Sequence, residues 1–249
     1  FLCVLLVALA WLLHGVREYL LPSRPVTVTV NDTREIRAEA NFKLLDILNA
    51  NDIPVPSGCA GAGTCGLCRV SGVTGVGGPL PTERARLSPA DLREGVRLAC
   101  QVTVRNDLEV GVAEEIMGAE SWTCRVASSR TLSPLIREIV LDLPQGAALS
   151  FRAGAFVQVT APAYSLRFAD YDIAPEHREA WQKFGLRDMV SHSAEPVSRA
   201  YSIANRPQDQ GRIVLLIRLA LPPPTVQGAP PGVVSSWLFG LKEGDTVEV

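Results

Sequence analysis

The sequence has little of what several classes of protein require. Its 249 residues contain six cysteines, too few for a disulfide scaffold. It has no excess of basic residues, because 24 Lys and Arg are balanced by 26 Asp and Glu, and this argues against a nucleic-acid-binding protein. It also differs from a disordered chain, since 47% of its residues are hydrophobic and 20% are charged. The three histidines share no metal-ligand spacing, and we interpret them as surface or interface residues: His14, His177 and His192.

An apolar run begins the sequence, where residues 1–13 are FLCVLLVALAWLL. As a helix this run would be about 20 Å long, short of the roughly 30 Å hydrocarbon core of a bilayer. A core helix would have polar residues on one face, and a signal peptide would be followed by a small-residue cleavage site. Neither feature occurs, so the run favours a transmembrane helix that starts before Phe1, in a membrane and juxtamembrane segment at 1–24. Arg17 and Arg24 then place the rest of the chain in the cytoplasm by the positive-inside rule.

Two domains are predicted after this segment, at 25–115 and 120–249. In the first, Val and Thr alternate as a strand over 26–30, and 108–112 is a later strand. Phe42, Leu44, Leu45 and Leu48 are spaced for a short amphipathic helix that ends near Asn51, and together these elements indicate a compact α+β domain. In the second, Gly and Pro separate strand-like segments at irregular spacing, which is typical of an antiparallel barrel or sandwich. A polar insertion at 167–198 interrupts them and is either a docking surface or a solvated loop. The predicted strands of the second domain cover 123–127, 136–143, 156–160, 200–204 and 213–219.

Four cysteines have the spacing Cys-x5-Cys-x2-Cys-x31-Cys and carry the strongest signal in the sequence. Structural zinc usually takes two Cys-x2-Cys pairs, whereas three clustered cysteines and one distant cysteine are typical of a plant-type [2Fe–2S] cluster. The pattern therefore favours the cluster over zinc and over plain buried or disulfide-bonded cysteines. Four glycines before and between the first three cysteines would let the backbone wrap round the cluster with N–H groups aimed at sulfur. The cysteines are Cys59, Cys65, Cys68 and Cys100; the glycines are Gly58, Gly61, Gly63 and Gly66.

The other two cysteines, Cys3 and Cys124, are interpreted as small buried hydrophobic residues.

A second pair of segments predicts a flavin site. Arg199, Tyr201 and Ser202 stand at i, i+2 and i+3 of a strand and offer a phosphate contact, a stacking ring and a short hydrogen-bonding group. About 33 residues later, Gly232 opens an apparent helix whose N–H groups and dipole could receive a pyrophosphate. Each segment alone would be weak, since the second is also typical of an ordinary helix N-cap. Together, downstream of a ferredoxin-like domain, they indicate flavin binding.

The segments RAYSIAN (199–205) and GVVSSWL (232–238) closely resemble the flavin motifs of the ferredoxin–NADP reductase superfamily. The sequence as a whole is similar to the flavoprotein subunits of sodium-translocating NADH:quinone reductases. The similarity includes the five-residue first gap between cysteines, LPTE followed by REGVRLACQV, RAGAFVQVTAP and LPPPTVQGAPPGVVSSWL. This resemblance implies a multi-domain chain with an N-terminal transmembrane helix, an α+β ferredoxin-like (β-grasp) domain and an antiparallel β-barrel FAD-binding domain.

The resemblance also implies a role for each matching residue. The four clustered cysteines would ligate the [2Fe–2S] cluster. Arg199 would contact the FAD phosphate, Tyr201 would stack on the isoalloxazine ring, and Ser202 would lie near its redox-active edge. The remaining implied FAD-binding residues are Asn205 and, for the pyrophosphate, Gly232, Ser235 and Ser236.

The implied function is electron input to a membrane-bound NADH:quinone oxidoreductase. Electrons would pass from NADH through FAD to the cluster and on to partner subunits in the inner membrane, coupled to Na+ export. In this family an NADH-binding domain follows the FAD domain, so the present sequence is expected to bind FAD and a cluster without oxidising NADH efficiently. Two alternatives remain, the reductase component of a multicomponent oxygenase and a ferredoxin-type electron-carrier module.

Overall fold

The computed structural model describes residues 7, 9–12, 15–16, 24–222 and 228–249. The chain divides into two compact units, 1–119 and 120–249, and each is described by itself. Residues 7, 9–12 and 15–16 are helical, but most of the transmembrane helix predicted at 1–24 lies outside the described residues. Within the part of the chain that is described, no helix is both long enough and apolar enough to cross a membrane.

The first unit is built on a three-stranded sheet in the order β2-β1-β5, in which β1 pairs antiparallel with β2 and parallel with β5. Asn31 and Asp32 adopt positive φ in the β1–β2 turn, as short polar turn residues can. A second, two-stranded sheet pairs β3 with β4. The elements are β1 (Pro25–Val30), β2 (Arg34–Glu39), α1 (Leu44–Asn49), β3 (Arg69–Val70), α2 (Pro81–Arg84), α3 (Pro89–Arg93), β4 (Arg97–Leu98), β5 (Leu108–Val110) and α4 (Glu114–Met117).

The core of this unit follows from the period of its hydrophobic residues. Val26, Val28 and Val30 alternate along β1 and are buried, as the two-residue period of a strand requires. Leu44 and Leu48 are one helical turn apart in α1 and are also buried. The predicted α+β organisation is therefore present.

The second unit is built on a six-stranded sheet in the order β11-β8-β13-β6-β7-β12, in which every pair is antiparallel. Its two end strands are also connected, because an isolated bridge joins Ile203, just after β11, to Leu215 in β12. The predicted antiparallel architecture is present. The strand β6 extends from 123 to 133, whereas the sequence predicted a strand over 123–127 only. The strands are β6 (Thr123–Ser133), β7 (Ile136–Asp142), β8 (Phe156–Ala161), β11 (Val197–Ser202), β12 (Arg212–Arg218) and β13 (Thr246–Glu248).

The insertion predicted at 167–198 is a packed part of this unit. β9 (Tyr164–Arg167) and β10 (Val190–Ser193) form an antiparallel hairpin, and α5 (Arg178–Lys183) lies between them in the chain. Phe168 and Trp181 are fully buried, with ring centroids 6.1 Å apart. The solvated-loop alternative is therefore wrong, because the insertion contributes large aromatic side chains to the hydrophobic core.

The helix α6 (Val233–Gly240) completes the second unit. It lies against β8, β9, β10, β11 and β12, so both the main sheet and the insertion hairpin contact it. Val234, Leu238 and Phe239 are buried on this helix. The fold thereby brings the second predicted flavin segment next to β11, which carries the first.

Candidate functional site

The distant Cys100 comes beside Cys68 where the β3–β4 sheet closes the long loop that carries the other cysteines. Cys59 and Cys65 lie in the loop between α1 and β3, and Cys68 immediately precedes β3. Arg69 in β3 pairs with Leu98 in β4, and the N–H of Ala99 donates to the carbonyl of Cys68 at 2.8 Å. This pairing positions the distant Cys100 beside Cys68.

The cysteines approach one another in pairs. A hydrogen bond from the Cys68 thiol lowers the pKa of Cys100 to about 6 and raises the pKa of Cys68. Burial raises the pKa of Cys59, but backbone hydrogen bonds from Cys65 and Thr64, with a side-chain bond from Cys65, lower it to about 7.

These pairs fit the ligand requirement of a two-iron cluster, in which each iron takes two thiolates. In the described ranges no three His, Cys, Asp or Glu side chains are placed to hold one metal ion. The fit therefore rests on the pairing of Cys59 with Cys65 and of Cys68 with Cys100, and on the backbone N–H groups that face their sulfurs. Cys124 is buried in the second unit, where desolvation raises its thiol pKa to about 11.

Two glycines in the loop are required by the backbone and by close packing. Gly61 and Gly63 have φ of +82° and +73°, which favour glycine. A Cβ at Gly63 would lie 2.8 Å from Nε2 of Gln101. The loop therefore leaves room for the side chain of Gln101, which was not predicted as a site residue from the sequence. Nε2 of Gln101 donates to the carbonyl of Gly61 at 3.0 Å and to Sγ of Cys100 at 3.4 Å.

A buried ion pair holds the segment that leads to Cys100. The fully buried Glu83 carboxylate accepts hydrogen bonds from Arg97 at 2.8 and 2.9 Å and from the backbone N–H groups of Leu80 and Leu98. Burial alone would raise the pKa of Glu83, but these hydrogen bonds and the Arg97 charge hold it below its usual range. The pair fixes α2 against β4, two residues before Cys100.

The predicted flavin strand is β11. Because successive side chains of a strand point to opposite faces of the sheet, the predicted flavin-binding residues of β11 lie on two different faces. Arg199 and Tyr201 share one face with Val159 and Val157, their partners on β8. Tyr201 is half-buried, and this burial raises its phenol pKa. Ser202 lies on the opposite face and is exposed.

Asn205 has a local structural role in the turn after β11. Its Oδ1 accepts from the N–H of Val214 at 2.8 Å, and its Nδ2 donates to the carbonyls of Asp209 and Arg212 at 3.2 Å. These bonds tie the chain after β11 to β12.

The start of α6 fits a phosphate group through its backbone. Gly232 is the N-cap, and among the described residues no side chain caps the N–H groups at this end. A Cβ at Gly232 would lie 2.7 Å from Cβ of Ala220, which makes glycine necessary here. Ser235 Oγ already donates to the carbonyl of Gly232 and accepts from Ala220, whereas the buried Ser236 Oγ has no hydrogen-bond partner among the described residues. The N–H groups, more than the serine hydroxyls, are available to a pyrophosphate.

Two tyrosines, one in β9 and one in the insertion, contact α6 and were not selected from the sequence. The hydroxyl of Tyr164 donates to the carbonyl of Val233 at 2.6 Å and lies 2.7 Å from Oγ of Ser191. The hydroxyl of Tyr171 donates to the carbonyl of Ser236 at 2.8 Å. No local sequence pattern identifies the two contacts with α6, because they join residues 69 and 65 positions apart.

Comparison with known families assigns a cofactor to each unit. Residues 28–105 match the 2Fe-2S iron-sulfur cluster binding domain, and this range contains all four clustered cysteines. Residues 186–249 match the oxidoreductase FAD-binding domain, and this range contains both predicted flavin segments. The first unit is therefore a [2Fe–2S] domain, and the second is an FAD-binding domain.

Individual relatives match almost the whole chain. The F subunits of the Na(+)-translocating NADH-quinone reductases of Neisseria gonorrhoeae and Methylococcus capsulatus are 42% and 41% identical to it, over 99% and 100% of this chain. The chain is a relative of these F subunits. It spans 61% of the length of each of these two.

Among solved structures, the Amycolatopsis cytochrome P450 reductase GcoB matches 90% of this chain and 56% of its own at 24% identity, with a TM-score of 0.40. The ferredoxin reductase in carbazole 1,9a-dioxygenase matches 91% of this chain and 60% of its own at 21% identity, with a TM-score of 0.41.

Proposed function

We propose that this chain transfers electrons between FAD and a [2Fe–2S] cluster as part of the electron-input subunit of a sodium-translocating NADH:quinone reductase. The observation that carries the proposal is the arrangement of the cysteines in two pairs, in a chain whose second unit is an FAD-binding domain. The relationship to the F subunits supports the identity of the complex.

The proposed cluster ligands are Cys59 and Cys65 on one iron and Cys68 and Cys100 on the other. The loop binds the cluster with sulfurs that already accept backbone hydrogen bonds, and this lowers the cost of holding thiolates in a half-buried site. Glu83 and Arg97 keep β4 in register, so that Cys100 stays at its position in the site.

The proposed FAD site lies between β11 and the start of α6. Arg199 supplies a positive charge for the phosphates, Tyr201 on the same face stacks on the isoalloxazine ring, and the N–H groups after Gly232 bind the pyrophosphate. Ser202 is proposed to lie near the redox-active edge, and Ser236 to contact the pyrophosphate. Ser235 and Asn205 are proposed to hold the helix and strand ends that form the site. We further propose that the bridge between Ile203 and Leu215 closes the sheet into a barrel.

When bound, FAD accepts a hydride and releases electrons singly, and the cluster accepts one electron at a time. The chain contributes binding, orientation and the electrostatic surroundings of both groups. We propose NADH as the electron source and a quinone as the final acceptor of the whole complex. We also propose partner subunits in the inner membrane, Na+ export, and a single-pass anchor at 1–24 with the two domains on the cytoplasmic side.

The cluster assignment is tested by replacing Cys100 with Ala in the full chain and measuring iron and acid-labile sulfide. We expect the variant to lose the cluster, because one iron would keep a single thiolate from the chain. Cys124→Ala is the matched control, since Cys124 is a buried cysteine in the other unit and should leave the iron content unchanged. A Cys100→Ala protein with full iron and sulfide would contradict the assignment.

A further inference from the structure

Gln101 is placed to act on the sulfur of the cysteine that precedes it. Its side-chain amide donates from Nε2 to Sγ of Cys100 at 3.4 Å and to the carbonyl of Gly61 at 3.0 Å. The same nitrogen therefore contacts a proposed cluster ligand and the loop that carries the other ligands.

Thr82 determines which end of the amide faces the sulfur. Its hydroxyl donates to Oε1 of Gln101 at 3.0 Å, so the oxygen is engaged on the α2 side and the nitrogen faces Cys100. This bond connects α2, which the buried Glu83 fixes to β4, with the cysteine loop.

The loop is shaped to admit this amide. Gly63 has no Cβ, and one placed there would lie 2.8 Å from Nε2 and 2.9 Å from Cδ of Gln101. A larger residue at Gly63 would displace the amide from both of its acceptors. The position of Gln101 is therefore set from three directions, by Thr82, by Gly61 and by the open space at Gly63.

A hydrogen bond to a cluster thiolate affects the two redox states unequally. The reduced cluster carries more negative charge on its sulfurs, so an N–H donor stabilises it more than it stabilises the oxidised cluster. Hydrogen bonds to the sulfurs are among the factors that set the potentials of iron–sulfur clusters.

We propose that Gln101 is a positioning residue that raises the reduction potential of the cluster by donating a hydrogen bond to Cys100 and holding the carbonyl of Gly61. The inference rests on the proposed ligation by Cys100 and adds a residue that controls the driving force for electron transfer. Thr82 acts with it by orienting the amide.

The test is an EPR-monitored redox titration of the cluster in the full chain, with iron and sulfide content measured first. In Gln101→Leu the donor is lost, and we expect the potential to become more negative by about the 59 mV that corresponds to a tenfold change for a one-electron couple. Gln101→Glu keeps the side-chain size but replaces the donor with a negative charge, so its shift should have the same sign and be larger. Thr82→Val should give a smaller shift of that sign, because the amide remains but loses its orientation.

Gln208→Leu is the matched control, because it makes the same chemical change at an exposed position in the other unit and should leave the potential unchanged. Variants that retain full iron and have the wild-type potential and EPR spectrum would overturn the inference and leave the proposed function intact. If the Gln101 variants lose the cluster, the inference is tested by the reduction potential of the Thr82→Val protein. An unchanged potential in Thr82→Val would contradict the inference. A wild-type chain without iron and sulfide would instead overturn the proposed function.

Discussion

At the scale of single residues, the most consequential polar group of the first unit is the carboxylate of Glu83. It is fully buried, and its partner Arg97 is 8% exposed. Because Glu83 also accepts two backbone hydrogen bonds, its removal would leave two N–H groups without their acceptor and the Arg97 charge without its carboxylate, although Arg97 would keep its hydrogen bond to the carbonyl of Gly77. One residue therefore supports the segment from α2 to Cys100.

We expect Glu83→Gln to lower the free energy of unfolding of the first unit by about 3–5 kcal/mol, the usual cost of leaving one member of a buried pair unpaired. Arg69→Gln, which breaks the more exposed pair with Asp91, should lower it much less, because solvent screens that pair. Hydrogen exchange measured by mass spectrometry on peptides from residues 24–119 separates the two variants. Equal protection in both would contradict the role assigned to Glu83.

The same residue predicts a pH dependence. The pKa of Glu83 is lower in the folded chain than its usual value, so the folded chain releases this proton more readily than the unfolded chain. Its contribution to stability is therefore fully present above the usual carboxyl pKa and is lost as the pH falls through the folded value. The exchange protection of residues 24–119 should decrease over this acid range in the wild type, and Glu83→Gln should lack this component.

Residue roles were only partly predictable from the sequence. The cysteine spacing selected four residues, and the fold places Cys59 near Cys65 and Cys68 near Cys100. Short spacing in a glycine-rich loop accounts for the first pair, whereas the second depends on the pairing of β3 with β4. Gln101 could not be selected, since its function depends on the direction of an amide that Thr82 orients. Asn205 illustrates the converse, because its place in a flavin-like motif gave no indication that its side chain connects the ends of two strands.

At the scale of elements, the insertion is the feature that the sequence described least well. Its polar composition concealed Phe168, Tyr171 and Trp181, whose rings pack on Phe239 of α6 or on one another. The buried guanidinium of Arg137 on β7 donates to the carbonyls of Phe239 and Asp172 and lies 4.8 Å from the Phe239 ring centroid. The main sheet, the insertion and α6 therefore share one core.

This arrangement predicts that the β9–β10 hairpin supports FAD binding. Tyr164→Phe keeps the ring but removes the hydrogen bond to the Val233 carbonyl at the start of α6. We expect the affinity for FAD to fall about threefold to tenfold, in line with the loss of one hydrogen bond. Equilibrium titration of the flavin-free protein, followed by FAD fluorescence, measures this change.

Ser193→Ala provides the control in the same hairpin, because the Ser193 hydroxyl donates to the carbonyl of Glu195 and not to α6. Its affinity for FAD should equal that of the wild type. If Tyr164→Phe also binds FAD normally, the hairpin does not position the pyrophosphate end of the site.

Regular elements with a clear period were the best predicted. The alternation of Val26, Val28 and Val30 and the spacing of Leu44 and Leu48 placed β1 and α1 correctly, since burial on one face fixes both period and position. In the hairpin of β9 and β10 the short strand β10 exposes Val190 and buries Ser191, so its pairing depends on tertiary contacts that a single sequence does not reveal.

At the scale of the whole molecule, the chain combines a [2Fe–2S] domain at 28–105 with an FAD-binding domain at 186–249. One cofactor takes electrons in pairs and the other takes them singly. This combination is the basis of the proposed electron-input function. The sequence resemblance anticipated it from two short flavin motifs and one cysteine pattern.

An anaerobic reductive titration of the full chain with dithionite, followed by visible absorbance and EPR, tests the central claim most directly. The account predicts that flavin and iron–sulfur bands both bleach, with uptake of about three electrons per chain, two by FAD and one by the cluster. Uptake of a single electron without flavin bands, or a colourless protein that carries zinc, would contradict it.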